Sequence, residues 1–182
     1  MNLPNLISLA RLLSVPAIVW LIIENHWIGA FALFVAAGLS DALDGAIARR
    51  FDRRTTLGTY LDPLADKALL VAVYVTLAAV DRLASWLAIL VLSRDVLIVG
   101  GVLVARLFAV RIEARPSLLS KFNTGVQIVM AATVLAAIAF ELAPLTDLSR
   151  TLAWVVAVAT VASGIGYGML WMRRMSHAEE AR

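Results

Sequence analysis

The sequence contains no cysteine. Disulfide frameworks, thiol nucleophiles and cysteine-ligated zinc are therefore excluded. Histidine is nearly absent too: His26 and His177 are the whole supply, and both fall near predicted helix ends. That leaves no basis for a histidine-ligated metal centre or a Ser-His catalytic pair. Charge is the third shortage. Only 16% of the 182 residues are charged, against 62% hydrophobic. An ordinary soluble domain is about 25% charged and about 45–50% apolar. A chain this short cannot enclose so much apolar surface, so lipid has to solvate much of it. A disordered chain, a disulfide-stapled secreted module and a typical cytosolic enzyme are excluded. The net charge is +3, but no basic patch is interleaved with aromatics and no nucleic-acid motif is present. The basic excess reads as membrane topology, not as nucleic-acid binding.

The length indicates one domain, residues 1–182, without a composition shift or linker to divide it. Residues 1–5 have no basic run, and the apolar stretch that follows is long for a signal peptide. No Arg- and Ser-rich transit segment stands there either. The chain is expected to be mature from its first residue and to belong to a bacterial inner membrane rather than a mitochondrial one.

A spanning helix needs about 20 mostly apolar residues. Six stretches qualify, at about 5–23, 27–48, 59–80, 83–104, 118–140 and 152–171. Glu24, Asn25 and His26, the basic run 49–56, Asp81 and Arg82, residues 111–116 and residues 144–150 separate them. The expected fold is therefore all-α, a polytopic membrane protein with six transmembrane helices. Arg49, Arg50, Arg53, Arg54, Arg106, Arg111, Arg115, Lys121, Arg173, Arg174 and Arg182 fall on one side, and only Arg82 and Arg150 on the other. The positive-inside rule puts both termini in the cytoplasm. Arg11 lies early in the first stretch, where it would snorkel from an interfacial start.

A scaffold or a transporter would satisfy that pattern. The acidic residues say more. Asp41 and Asp44 lie late in the second span, and Asp62, Asp66 and Lys67 lie early in the third. A charge at the bilayer centre costs about 2.5–3.5 kcal/mol on insertion scales. Four carboxylates there require a compensating partner or a water-filled cavity. Residues three and four apart share a helix face. Asp41 and Asp44 form one such pair, extended by Ala48, and Gly58, Asp62 and Asp66 form a second stripe. If the two spans form an antiparallel hairpin, the carboxylates converge near the cytoplasmic face. Converging carboxylates repel unless cations sit between them. All-oxygen ligands suit hard cations such as Mg²⁺, with Mn²⁺ a substitute. A two-metal carboxylate site is a common device for transfer at phosphorus. Gly45, Ala48 and Gly58 leave room for a bulky ligand, and Arg49 can meet a phosphate. Two other readings of the same spacing stay open here: cytoplasmic loop residues, or a cation or proton relay in a small transporter. Pro63 is read as marking the first turn of the third span.

The pattern Asp41-x2-Asp44-Gly45-x2-Ala48-Arg49-x8-Gly58-x3-Asp62-x3-Asp66 resembles the signature of the CDP-alcohol phosphatidyltransferases at all eight fixed positions. That resemblance implies a six-span membrane enzyme, usually a homodimer, which transfers a phosphatidyl-type group from a CDP-linked donor to an alcohol and releases CMP. Within the family, residues 2–11, Ser93-Arg94-Asp95-Val96 and residues 115–124 resemble the CMP-forming cardiolipin synthases. Phosphatidylglycerophosphate synthases look similar in the first half. The resemblance covers roughly residues 2–140, and the last span reads as generic.

What the resemblance implies for the site is specific. Asp41, Asp44, Asp62 and Asp66 would hold two divalent ions, Mg²⁺ or Mn²⁺. Asp41, Asp44, Gly45, Ala48, Arg49, Gly58 and Asp62 would line the CDP pocket, and Asp66 is the candidate catalytic base. CDP-diacylglycerol would be the donor and phosphatidylglycerol the acceptor, with glycerol-3-phosphate as the alternative acceptor. Because either acceptor carries phosphate, Arg94, Lys121, Asn123 and Thr124 are the acceptor-binding candidates. Arg94 has a structural alternative, pairing with a carboxylate. The active site would face the cytoplasm, and nucleic acid is not an expected partner.

Overall fold

A computed structural model describes the backbone of residues 3–51, 56–107 and 118–180, and side-chain surroundings over 9–40, 67–101 and 118–169. The described residues form six helices and no strand. They are α1 (Leu3–Ile23), α2 (Trp27–Phe51), α3 (Thr56–Ala79), α4 (Ser85–Leu107), α5 (Leu118–Ala139) and α6 (Ala143–Glu180). Each predicted span contains the body of one helix. The chain divides into two compact units, Met1–Ser85 with Ala131–Ser149, and Trp86–Met130 with Arg150–Arg182.

In the first unit α1 packs against both α2 and α3. The apolar positions follow the helical period. Ile18 and Ile22 on α1, Ala30, Phe34 and Ala37 on α2, and Leu70, Val73, Tyr74 and Leu77 on α3 are buried at spacings of three and four. Arg11 stands seven residues before Ile18 on that inward stripe and is 4% exposed. It is a buried cation, not a snorkelling one, because helical register turns it toward the neighbouring helices. At Gly29 an added Cβ would come within 3.3 Å of Leu21 Cδ2, so glycine permits the close approach of α1 and α2 beside their turn.

Three helices end alike. Asn25, Asp81 and Glu141 adopt φ of 59°, 58° and 52°. The next residue in each case bonds back to the helix: His26 N to Leu21 O at 2.8 Å, Arg82 N to Leu77 O at 2.8 Å, and Leu142 N to Ala137 O at 3.1 Å. These are Schellman caps, which satisfy carbonyls that a helix end leaves orphaned. Asn and Asp tolerate the left-handed conformation through local hydrogen bonding. Glu141 lacks that help. Around the first two caps Trp20 meets His26, with ring centroids 5.8 Å apart, and Arg82 lies 5.5 Å from the Trp27 centroid.

Two boundaries differ from the sequence reading. Residues 144–150 are helical, because α6 starts at Ala143. Pro144 then occupies the first turn, where its missing N–H is not needed. Conversely, α3 starts at Thr56, so Pro63 lies within the helix and not in its first turn. There it leaves one carbonyl of the preceding turn without its usual donor.

The outward faces are apolar. Leu13, Trp20, Ile28, Ile89, Leu97, Trp154 and Val158 are all exposed. Water does not solvate such a surface favourably. Among the described residues, Leu118–Ala139 and Ala143–Met169 are long and apolar enough to cross a bilayer, and Leu9–Ile23, Trp27–Ser40 and Lys67–Ala79 are shorter apolar stretches.

Candidate functional site

All eight signature positions fall on helix, five on α2 and three on α3. Asp41 and Asp44 therefore share a face of α2, and Gly58, Asp62 and Asp66 a face of α3. Both helices pack on α1. Residues 52–55, between them in sequence, lie outside the described residues. The side chains of Asp41, Asp44, Gly45, Ala48, Arg49, Gly58, Asp62 and Asp66 lie outside the described residues. Lys67, beside them in sequence, is half-buried.

A second polar group is described in full in the other unit. On α4, Leu87, Val91 and Arg94 form a buried stripe at spacings of four and three. Arg94 is thus carried inward by the register that buries the two apolar residues, and it is 6% exposed. Its Nη1 donates to Asp95 Oδ1 at 2.7 Å. Its Nη2 donates to Ser120 Oγ at 2.6 Å and to Ser163 Oγ at 2.7 Å. The guanidinium carbon lies 5.7 Å from the Tyr167 ring centroid. A second set of bonds continues from there. Thr160 Oγ1 donates to Asn123 Oδ1 at 3.0 Å, and Gln127 Nε2 reaches Thr160 Oγ1 at 3.5 Å.

The geometry explains why these residues meet. Ser120, Asn123 and Gln127 repeat at spacings of three and four along α5, as do Thr160, Ser163 and Tyr167 along α6. Rising numbers on α5 meet falling numbers on α6, so the two stripes run antiparallel. Asn123, Gln127, Thr160 and Ser163 are all buried. Burying so many polar groups is tolerable only when they bond to one another. Two donors stand over. Arg94 Nε and Asn123 Nδ2 are buried and have no hydrogen-bond partner among the described residues. Both are donors only, so the group complementary to them is an acceptor oxygen. The Arg94–Asp95 pair is electrically neutral, so what the cluster has in excess is hydrogen-bond donors and not net charge.

Of the four acceptor candidates, Arg94 and Asn123 belong to this cluster. Thr124 flanks it, and its hydroxyl donates to Ser120 O at 3.1 Å, so its proton is committed to the helix. Lys121 is exposed. Ser163, Thr160, Gln127 and Tyr167 were not singled out from sequence. Their signal was the matching pair of polar stripes at helical spacing. Among the described residues there is no group of three acidic or histidine side chains able to hold a metal.

The family model for CDP-alcohol phosphatidyltransferase matches residues 1–167, which takes in both the signature and the polar cluster. The chain belongs to that family. Its curated relatives include a chloroplastic CDP-diacylglycerol–glycerol-3-phosphate 3-phosphatidyltransferase 1 of Oryza sativa subsp. japonica, 35% identical over 93% of this chain and 56% of the relative. Cardiolipin synthase (CMP-forming) of Homo sapiens is 35% identical over 91% of this chain and 60% of its own length. CDP-diacylglycerol–glycerol-3-phosphate 3-phosphatidyltransferase of Bacillus subtilis is 33% identical over 91% of this chain and 93% of its own. The chain thus spans a little over half of the rice and human relatives and nearly all of the Bacillus one. Identity is similar to relatives of both names, so the comparisons do not choose between them.

Proposed function

We propose that this family member is a CMP-forming cardiolipin synthase, transferring a phosphatidyl group from CDP-diacylglycerol to phosphatidylglycerol. The observation that carries the transferase reading is the complete signature, held on two helices with a common partner, α1. The preference for phosphatidylglycerol rests on the Ser93–Val96 stretch and residues 115–124. The rival acceptor is glycerol-3-phosphate, which the names of the rice and Bacillus relatives specify.

Members of this family generally use divalent metals. The donor set fits: four carboxylates at i, i+3 and i, i+4 on helical backbone offer only hard oxygen ligands. Asp41, Asp44, Asp62 and Asp66 would hold two ions, Mg²⁺ or Mn²⁺, which when bound neutralise pyrophosphate charge. Gly45, Ala48 and Gly58 leave room for the CDP group, and Arg49 meets one of its phosphates. The terminal glycerol hydroxyl of the acceptor attacks the phosphorus that bears diacylglycerol. A new P–O bond forms, the bond to CMP breaks, and the hydroxyl proton passes to Asp66. A carboxylate with an ordinary pKa near 4 is a weak base, so Asp66 acts late, as the attacking oxygen gains positive charge. Arg94 and Asn123 bind the acceptor's phosphate oxygens, and exposed Lys121 attracts the acceptor from the membrane surface. Displacement is direct, with the acceptor hydroxyl attacking phosphorus without a covalent enzyme intermediate.

The same reading has all six helices crossing a bacterial inner membrane as one domain over residues 1–182. Both termini and the active site face the cytoplasm, and two copies form a homodimer. The apolar outer faces and the one-sided distribution of arginine support it. The deciding experiment gives the purified full chain CDP-diacylglycerol with Mg²⁺ or Mn²⁺, and offers phosphatidylglycerol or glycerol-3-phosphate in separate reactions. Cardiolipin from the first is expected. Product from glycerol-3-phosphate alone overturns the acceptor assignment, and no CMP with either overturns the enzyme assignment.

A further inference from the structure

Ser163 lies on α6, the helix that carries no sequence motif. It is 1% exposed, and its Oγ is 2.7 Å from Arg94 Nη2. Ser120 on α5 takes the other hydrogen of that nitrogen, and Asp95 occupies Nη1. The guanidinium is therefore fixed from α4, α5 and α6 together, with Tyr167 against it one turn beyond Ser163. An arginine on four rotatable bonds loses much freedom when it binds a ligand, unless the protein has already immobilised it. Here it is immobilised. Two of its five N–H hydrogens are left over, one on Nη1 and one on Nε, and Nε is buried and without a partner among the described residues. Ser163 itself accepts from Arg94, so its own hydroxyl proton is available to an oxygen acceptor. The serine thus completes a set of donors and contributes no charge to it.

We infer that Ser163 is a positioning residue: it fixes the Arg94 guanidinium so that its Nε–H meets a phosphate oxygen of the acceptor alcohol. This rests on the reading of Arg94 as the acceptor contact, and it makes α6 part of the acceptor site. Substrate class follows from the donors. The ligand is an alcohol that already bears a phosphate, ester or diester, and an alcohol without one gains nothing from Ser163.

The test uses the purified full chain, with steady-state KM and kcat measured for CDP-diacylglycerol and for phosphatidylglycerol and glycerol-3-phosphate separately. Ser163→Ala is expected to raise the KM of the working acceptor about ten-fold, the scale of one lost hydrogen bond to a charged group. The donor KM and kcat should stay within about two-fold, as for an interaction equal in ground and transition states. Ser163→Thr, which keeps the hydroxyl, should restore the acceptor KM. Arg94→Lys should raise that KM, and adding Ser163→Ala to it should cost little more, because the serine acts through the arginine. If Ser163→Ala leaves the acceptor KM unchanged while Arg94→Lys raises it, the positioning role is refuted and the Arg94 reading stands. If Arg94→Lys leaves it unchanged, both fall. If Ser163→Ala raises both KM values alike and Thr fails to restore them, the serine only packs the helices and the inference is overturned.

Discussion

Removing the carboxylate of Asp95 isolates the energetics of the α4–α5–α6 cluster from its chemistry. Arg94 is 6% exposed and Asp95 15%, with 2.7 Å between Nη1 and Oδ1. After Asp95→Ala the cation keeps two serine hydroxyls and an aromatic face, but no counter-charge among the described residues. Breaking a buried ion pair on one side costs about 3–5 kcal/mol. The ring retains about 0.5–2 kcal/mol of cation attraction, so the low end applies, about 3 kcal/mol. For a chain of this length that lowers the unfolding midpoint by about 6–12 °C. Asp95→Asn keeps an acceptor oxygen and loses only the charge, so it should fall between. Replacing both partners, as Arg94→Met with Asp95→Leu, removes the unpaired charge and should recover most of the stability. The assay is thermal unfolding of purified protein in one detergent, run in parallel with CMP release. The double variant should be stable and inactive, which separates a cluster retained for binding from one retained for folding. A midpoint for Asp95→Ala within about 1 °C of the parent would refute the reasoning. So would a double variant no more stable than the single one.

Three further outcomes are expected. Asp66→Asn should lower CMP release by about a hundred-fold or more while the protein still inserts, since general-base catalysis contributes on that scale; near-parental turnover would overturn the role. Chelation of divalent ions should abolish turnover, and readdition of Mg²⁺ or Mn²⁺ should restore it; activity that survives dialysis against chelator would remove the metals from the carboxylate site. Glu141→Gly should stabilise the protein by about 1 kcal/mol, by relieving a side chain in the left-handed region and a negative charge at a helix C-terminus; the same detergent melt reads it, and a fall in midpoint would show that the side chain has a compensating contact.

Hydropathy located every helix, because a bilayer-length apolar run leaves little choice of secondary structure. It placed ends less well. Pro144 reads as a separator in sequence, yet a first-turn proline is compatible with helix, and α6 extends through it. Arg11 was misjudged for a related reason. Its position near a span end suggested snorkelling, but the 3.6-residue period aligns it with Ile18 and Ile22, and burial follows register and not depth. The eight-position signature was legible because carboxylates in apolar helices are costly and hence conspicuous. Serine and threonine are not: a hydroxyl bonded to its own helix, as Thr76 is to Ala72 O at 2.7 Å, passes unnoticed in an apolar segment.

The stripe on α6 shows how such residues become informative once a partner stripe is considered. Between helices in lipid there is no hydrophobic driving force, so association relies on close packing and interhelical hydrogen bonds. A polar stripe at helical spacing on an apolar helix therefore marks a packed face, and its partner must carry a stripe of the same period. Residues 120, 123 and 127 of α5 and 160, 163 and 167 of α6 meet that condition. Each stripe pairs an amide or hydroxyl with its counterpart, and Arg94 joins them through two hydroxyls on one nitrogen. Packing alone would be served by the Asn123–Thr160–Gln127 bonds. It gives no reason to place a guanidinium among them, since Met at position 94 would fill the same stripe without a desolvated charge or a counter-ion on α4. The leftover donors on Arg94 and Asn123 are the residue of that choice. Packing leaves them without a partner among the described residues, and under the proposed function an oxygen-rich acceptor headgroup would match them.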